Sequence, residues 1–176
     1  MEFIQKFNVD AFAESSVSLA LFGNVKNAEE IKKHIGSGNI DAAIVSPVLV
    51  ADAFQVLVAT NKAIYNQKNG KLKTRSVNSE ILYSISPSKN IGESFKLFSF
   101  QNDASHLLVV VLNDESNDKF NVLQKRIVGD LIPLENLKEI SDIDRIKQVY
   151  KIPDEELKYS SLVQSVVSRI ATKDVS

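Results

Sequence analysis

The sequence predicts an α/β (α+β) fold: a single domain over residues 1–176, with a small, about four-stranded sheet packed against several helices. Three observations carry this. Four short apolar runs, at residues 17–22, 40–45, 80–86 and 106–112, are each bounded by turn residues. Segments with helical spacing separate them. The 176 residues are 44% hydrophobic and 24% charged, ordinary for one globular domain able to bury a core without staples. No repeat, low-complexity tract or long linker divides the chain.

Val17 to Phe22 is the first strand by apolar content. Asn27 then has the spacing of a capping box with Glu30. The helix it opens puts Ala28, Ile31 and Ile35 on one face and stops at Gly36-Ser37-Gly38. Lys32, Lys33 and His34 lie near its negative end. Residues 40–45 form the second strand, closed by Ser46-Pro47.

A long helix follows, from about residue 50 to 67. At 100° per residue, Phe54, Leu57, Val58, Asn61, Ile64 and Tyr65 fall in one stripe, the expected core face. Ala53, Val56, Ala59, Thr60 and Ala63 make a second, uncharged face of small residues. Gln55, Lys62 and Asn66 form the solvated strip. A helix apolar on two sides is sandwiched or meets a partner. Small residues allow close approach, and depletion of charge marks an interface centre. Val56, Ala59 and Ala63 are therefore the expected partner surface, the alternative being that this face packs under the C-terminal helix.

Asn69-Gly70 signals a turn, after which Lys71, Lys73 and Arg75 alternate with no acid between them. Residues 80–86 form the third strand, ended by Ser86-Pro87-Ser88. Asn90 and Glu93 again have capping-box spacing, with Ile91, Phe95 and Phe98 inward. Residues 106–112 read as a central strand buried on both faces. The last third is helical. Phe120, Leu123 and Ile127 align over 116–128, and Ile143, Ile146 and Tyr150 align until Pro153. A last helix over 155–171 lines up Tyr159, Leu162, Val163, Val166, Val167 and Ile170.

Catalytic signatures are missing. No GxxxxGK[ST] loop occurs, and Gly36-Ser37-Gly38 reads as a helix stop rather than a nucleotide site. No GxSxG elbow is present. The two histidines, His34 and His106, have no cysteine beside them and no HxxxH spacing, so no metal or other cofactor is expected. Glu29-Glu30 and Glu155-Glu156 sit at helix starts, where the dipole accounts for them. The absence of cysteine removes disulfides and fits a reducing compartment. Residues 1–10 hold too short an apolar run for a signal peptide, and the longest apolar run, 107–112, is too short to span a bilayer. The expectation is a soluble intracellular protein.

With a net charge of −1, any nucleic-acid contact must come from a local patch. Lys62, Lys71, Lys73 and Arg75 cluster around one helix–turn–strand junction and are either that patch or a solvated basic loop. Phosphate contacts of this kind position a nucleic acid without reading its sequence. Tyr65 and Tyr83 are potential stacking rings, but both fall on expected core faces.

The run NKAIYNQKNGKLKTRSVNSEILYSISPSKNIGESFKLF resembles the PRPK-binding protein family, the small kinase-associated subunit of the KEOPS (EKC) complex. VSLALFGNVKNAEEIKK and IDAAIVSPVLV match it in the same order, and RIATKDVS is similar to the vertebrate form's tail. The resemblance covers residues 17–175. It implies a non-catalytic subunit of the cytoplasm and nucleus. Its partners would be the PRPK-type atypical kinase and, through it, the other KEOPS subunits. Its role would be to support threonylcarbamoyladenosine modification of tRNA. Archaeal relatives are understood to hold the tRNA acceptor end, which assigns Lys62, Lys71, Lys73 and Arg75 to that RNA end. The alternatives are a small-molecule or nucleotide-binding enzyme and a structural heterodimer partner without RNA contact.

Overall fold

A computed structural model describes residues 3–8 and 15–175. The N-terminal reading over residues 1–10 falls partly outside them. The class is α+β. The chain divides into two compact units, Met1–Ser46 with Ser99–Asn136, and Pro47–Phe98 with Leu137–Ser176.

The first unit holds the whole sheet. Its strands are β1 (Gln5–Asn8), β2 (Ser16–Gly23), β3 (Ala43–Val45), β4 (Leu107–Leu112) and β5 (Asp130–Ile132), and every pairing is antiparallel. β2 pairs along its full length with β4, and β3 lies beyond β4. The other edge of β2 is shared, by β1 opposite Ser16 to Leu19 and by β5 opposite Leu21 to Gly23. All six residues of β4 are buried, as its unbroken apolar run predicts. Gly129 is needed where β5 starts, because a Cβ there would lie 3.0 Å from the Gly23 carbonyl.

Helices α1 (Ala28–Gly36) and α5 (Asp118–Arg126) cover one face of this sheet. Ile31, Phe120, Leu123 and Ile127 pack with Phe22, Val109 and Val111, and the Phe22 and Phe120 rings stack at 6.1 Å. The expected Asn27–Glu30 capping box does not form. The Asn27 amide instead joins the two helices. Its Nδ2 donates to the Arg126 carbonyl at 2.7 Å, and its Oδ1 accepts from the Val128 N–H at 2.9 Å. Asp114 supplies the cap at α5, accepting from the N–H groups of Lys119 and Phe120.

The second unit is helical: α2 (Ala53–Lys68), α3 (Val77–Ile85), α4 (Ile91–Phe98), α6 (Leu137–Ile140), α7 (Ile143–Tyr150) and α8 (Leu162–Thr172). α2 packs on α3 and α8, and α3 on α4. Tyr150 anchors this core. Its buried hydroxyl donates to the Ile85 carbonyl and accepts from Gln55 Nε2 at 2.9 Å. Burial raises its pKa far above the ordinary phenol value.

Two expectations fail here. Residues 80–86 are not a strand, because α3 begins at Val77 under a Ser76–Ser79 capping box. The helix buries Glu80, Ile81, Tyr83, Ser84 and Ile85 together, so its apolar residues carry no helical stripe. It ends at Ser86, in extended conformation before Pro87. The last helix also starts late. Glu156–Lys158 is a short 3-10 turn, and α8 begins only after the Ser161–Gln164 capping box. Tyr159, expected in the core stripe, is 92% exposed.

Candidate macromolecule-binding surface

The decisive feature is the orientation of α2. Asp52 caps it through the Phe54 N–H, which sets which residues turn inward. Gln55, Val56, Ala59, Thr60 and Ala63 are fully buried. Phe54 is 52% exposed and Tyr65 57%, with Leu57 and Val58 half-buried between them and Asn61 exposed. Apart from Ile64, which is buried as expected, the two faces are thus reversed from the sequence expectation. Val56, Ala59 and Ala63 belong to the core, where small side chains let α3 and α8 approach closely. They are corrected as partner-surface residues: no partner reaches them while the unit is folded. Gln55, read as solvated, is tied inside by Leu49, Ala51 and Tyr150. The stripe at solvent is Phe54, Leu57, Val58 and Tyr65. Tyr83 does lie in the core, at 4% exposure.

Beyond α2 the chain turns at Gly70, whose φ of +63° suits glycine. Residues 71–75 then run as an irregular loop rather than into a strand. Glu80 pins that loop. Fully buried on α3, its two carboxylate oxygens share the Lys73 N–H at 2.9 Å and stand near the Thr74 hydroxyl. Lys71 and Arg75 project into solvent.

The other two cations of the patch are engaged. Lys62 Nζ donates to the Ile170 carbonyl at 2.7 Å, near the C-terminus of α8. It also stands 3.2 Å from Asp174 Oδ2, and Lys73 Nζ stands 3.6 Å from Asp174 Oδ1. Burial pushes the Asp174 carboxyl up, but Lys62 and Lys73 outweigh it and hold the pKa below the usual range. Beside it, Lys173 is buried, with Nζ 3.5 Å from the Tyr83 ring centroid and donating to the Tyr83 carbonyl. Burial, reinforced by Lys62, pulls its pKa down to about 8. The structure therefore brings Lys62 and Lys73 together around Asp174, with Lys71 and Arg75 on the pinned loop.

Among the described residues, no group of three His, Asp or Glu side chains is arranged to hold a metal. No helix there is long and apolar enough to cross a membrane. Asp174 and Glu80 escaped sequence reasoning. The first lies about a hundred residues from its lysines; the second was assigned to a strand. The only local signal was the S-x-x-S spacing before Glu80.

An apolar stripe and a pinned basic loop thus lie on one helical unit. The chain belongs to the family described as kinase binding protein CGI-121, whose model matches residues 22–174. It is 41% identical over 170 residues to the EKC/KEOPS complex subunit TPRKB of Danio rerio, covering 96% of this chain and 97% of that one. It is 37% identical over 144 residues to the EKC/KEOPS complex subunit cgi121 of Aspergillus fumigatus, covering 77% and 76%. With the EKC/KEOPS complex subunit cgi121 of Schizosaccharomyces pombe the identity is 26% over 171 residues, covering 94% and 97%.

Proposed function

We propose that this chain is a non-catalytic subunit of the KEOPS/EKC complex. It binds the PRPK-type kinase/ATPase and supports threonylcarbamoyladenosine modification of tRNA, helping to hold the tRNA 3′ end. The family's description supports the kinase, and the relatives' names support the complex. The observation that carries the kinase contact is the solvent-facing stripe Phe54, Leu57, Val58 and Tyr65 on a helix whose other side is filled core. Aromatic side chains such as Phe54 and Tyr65 are enriched at the cores of interfaces.

RNA contact rests on Lys62, Lys71, Lys73 and Arg75. Lys71 and Arg75 meet phosphate directly from the loop that Glu80 fixes.

Two titrations test this. The purified chain should bind the PRPK-type kinase, and Phe54→Ala should weaken that complex while leaving the chain folded. It should also bind tRNA more tightly than tRNA shorn of its 3′ single strand. The Lys71→Ala, Lys73→Ala, Arg75→Ala triple variant should lose affinity, with a salt slope flatter by about 0.7 per lost contact. A triple variant that binds intact tRNA like wild type, with the same slope, removes RNA from the reading and leaves a kinase partner alone.

A further inference from the structure

We infer that Asp174 is an internal stand-in for an RNA phosphate, occupying the Lys62–Lys73 subsite until the RNA displaces it. The inference rests on the RNA reading above and adds its regulation. The geometry is that of a phosphate clamp. One carboxylate oxygen faces each ammonium, Oδ2 at 3.2 Å from Lys62 and Oδ1 at 3.6 Å from Lys73. Two non-bridging phosphate oxygens would divide between the lysines in the same way. While Asp174 is there, its single negative charge is shared by two of the four cations of the patch.

The neighbouring residues make Asp174 a movable arm on a fixed pivot. Lys173 is the pivot: buried against the Tyr83 ring and bonded to the Tyr83 carbonyl, it fastens the chain end to α3. Asp174 comes next, with its side chain 39% exposed, and Val175 beyond it is 84% exposed. Withdrawing the carboxylate therefore requires rotation about exposed bonds, without unpacking α8. Lys62 does not collapse when the carboxylate leaves, because the Ile170 carbonyl holds its ammonium at 2.7 Å. Lys73 is held only at its backbone, by Glu80, and its side chain is 46% exposed. The Lys62 half of the clamp is preformed and its occupant is replaceable. The Lys73 half of the pair, at 46% and 39% side-chain exposure, is weak and screened by salt, so a strand offering several phosphates outcompetes one tethered carboxylate.

The experiment compares the full chain with Asp174→Asn, which keeps the shape and removes the charge. Labelled tRNA with an intact 3′ end is titrated across a salt series. The variant should bind roughly fivefold more tightly at low salt, the equivalent of one exposed ion pair. Its salt slope should stay that of wild type, because the RNA meets both lysines in either complex. Adding Lys62→Ala and Lys73→Ala to Asp174→Asn should abolish the gain. If the gain survives those changes, Asp174 acts only through overall charge and the inference is overturned. Unchanged or weaker binding by folded Asp174→Asn also overturns it, leaving Asp174 as a structural tie.

Should the Asn variant not fold, the wild-type Asp174 carboxyl carbon resonance decides. On saturation with tRNA its pKa should return toward the ordinary aspartate range, and a carboxyl that keeps its depressed value has not been displaced. The two readings fail separately. A triple loop variant that loses tRNA beside an unaffected Asp174→Asn sinks only the stand-in. Absence of tRNA binding in wild type and Asp174→Asn alike sinks both.

Discussion

Truncating Phe54 separates a docking surface from a core, and its size follows from exposure. A phenylalanine side chain presents about 200 Å² when fully open. At 52% exposure, about 100 Å² remains for a partner to cover. At about 25 cal/mol per Å², that is about 2.5 kcal/mol, or roughly 60-fold in dissociation constant. Isothermal titration of the PRPK-type kinase into Phe54→Ala should therefore show nearly two decades of weakening. The unfolding midpoint should fall as well, because the buried half of the ring is also lost. Ala59→Arg provides the contrast. Ala59 is fully buried, so a charged side chain there should cost several kcal/mol of stability and yield an unfolded or aggregated chain. The reasoning is refuted if folded Phe54→Ala binds the kinase like wild type. It is equally refuted if Ala59→Arg folds normally and loses only binding, since the faces of α2 would then be the reverse of those described.

Three further outcomes are expected. Tyr150→Phe removes the hydroxyl shared by Gln55 and Ile85 in a site with no room for compensation, and should lower unfolding free energy by about 1–3 kcal/mol in urea melts. Glu80→Ala strips the Lys73 N–H of its acceptor. It should speed hydrogen exchange there by at least an order of magnitude and weaken tRNA binding, whereas an unchanged exchange rate would show that the loop is held by something else. The Arg169 guanidinium, 2.7 and 2.9 Å from the two Glu156 oxygens, holds that carboxyl down to about 2 from an ordinary 4.5. A depressed carboxylate stabilises the fold above its unfolded pKa and loses that contribution as pH falls through the folded value. The acid limb between about pH 4.5 and 2 should therefore flatten in Glu156→Gln melts, and an identical limb would place the pair outside the folding equilibrium.

What the sequence made legible is what strong local pattern determines. The β4 run LLVVVL reads as a doubly buried strand, and it is. β1 and β5 went unseen because four and three residues are too few to show alternation; they exist as edges paired to β2. α3 was lost for another reason. Ile81, Tyr83 and Ile85 alternate like a strand, and a helix buried around most of its circumference shows no period that would contradict this.

The same physics inverted α2. Summing apolar bulk favours Phe54, Leu57, Val58 and Tyr65 as the core face. Packing favours the side where two helices can approach, and that side is Val56, Ala59 and Ala63. Polar residues decided the matter in a way no pattern records. Gln55 is buried because Tyr150, Leu49 and Ala51 satisfy its amide from distant points in the chain. Once that amide is bonded inside, the large apolar side chains a quarter turn away are carried to solvent. Their exposure is then a consequence of core hydrogen bonding.

The basic patch follows a related rule. Counting cations along the chain gave Lys62, Lys71, Lys73 and Arg75 equal standing. Tertiary contacts divide them into a pair committed to Asp174 and a pair at the tip of the loop. Charge removal at the tip should therefore act on RNA at once. Removal at the clamp should act fully only after Asp174 has been neutralised. That order of effects distinguishes a regulated phosphate site from a solvated basic loop.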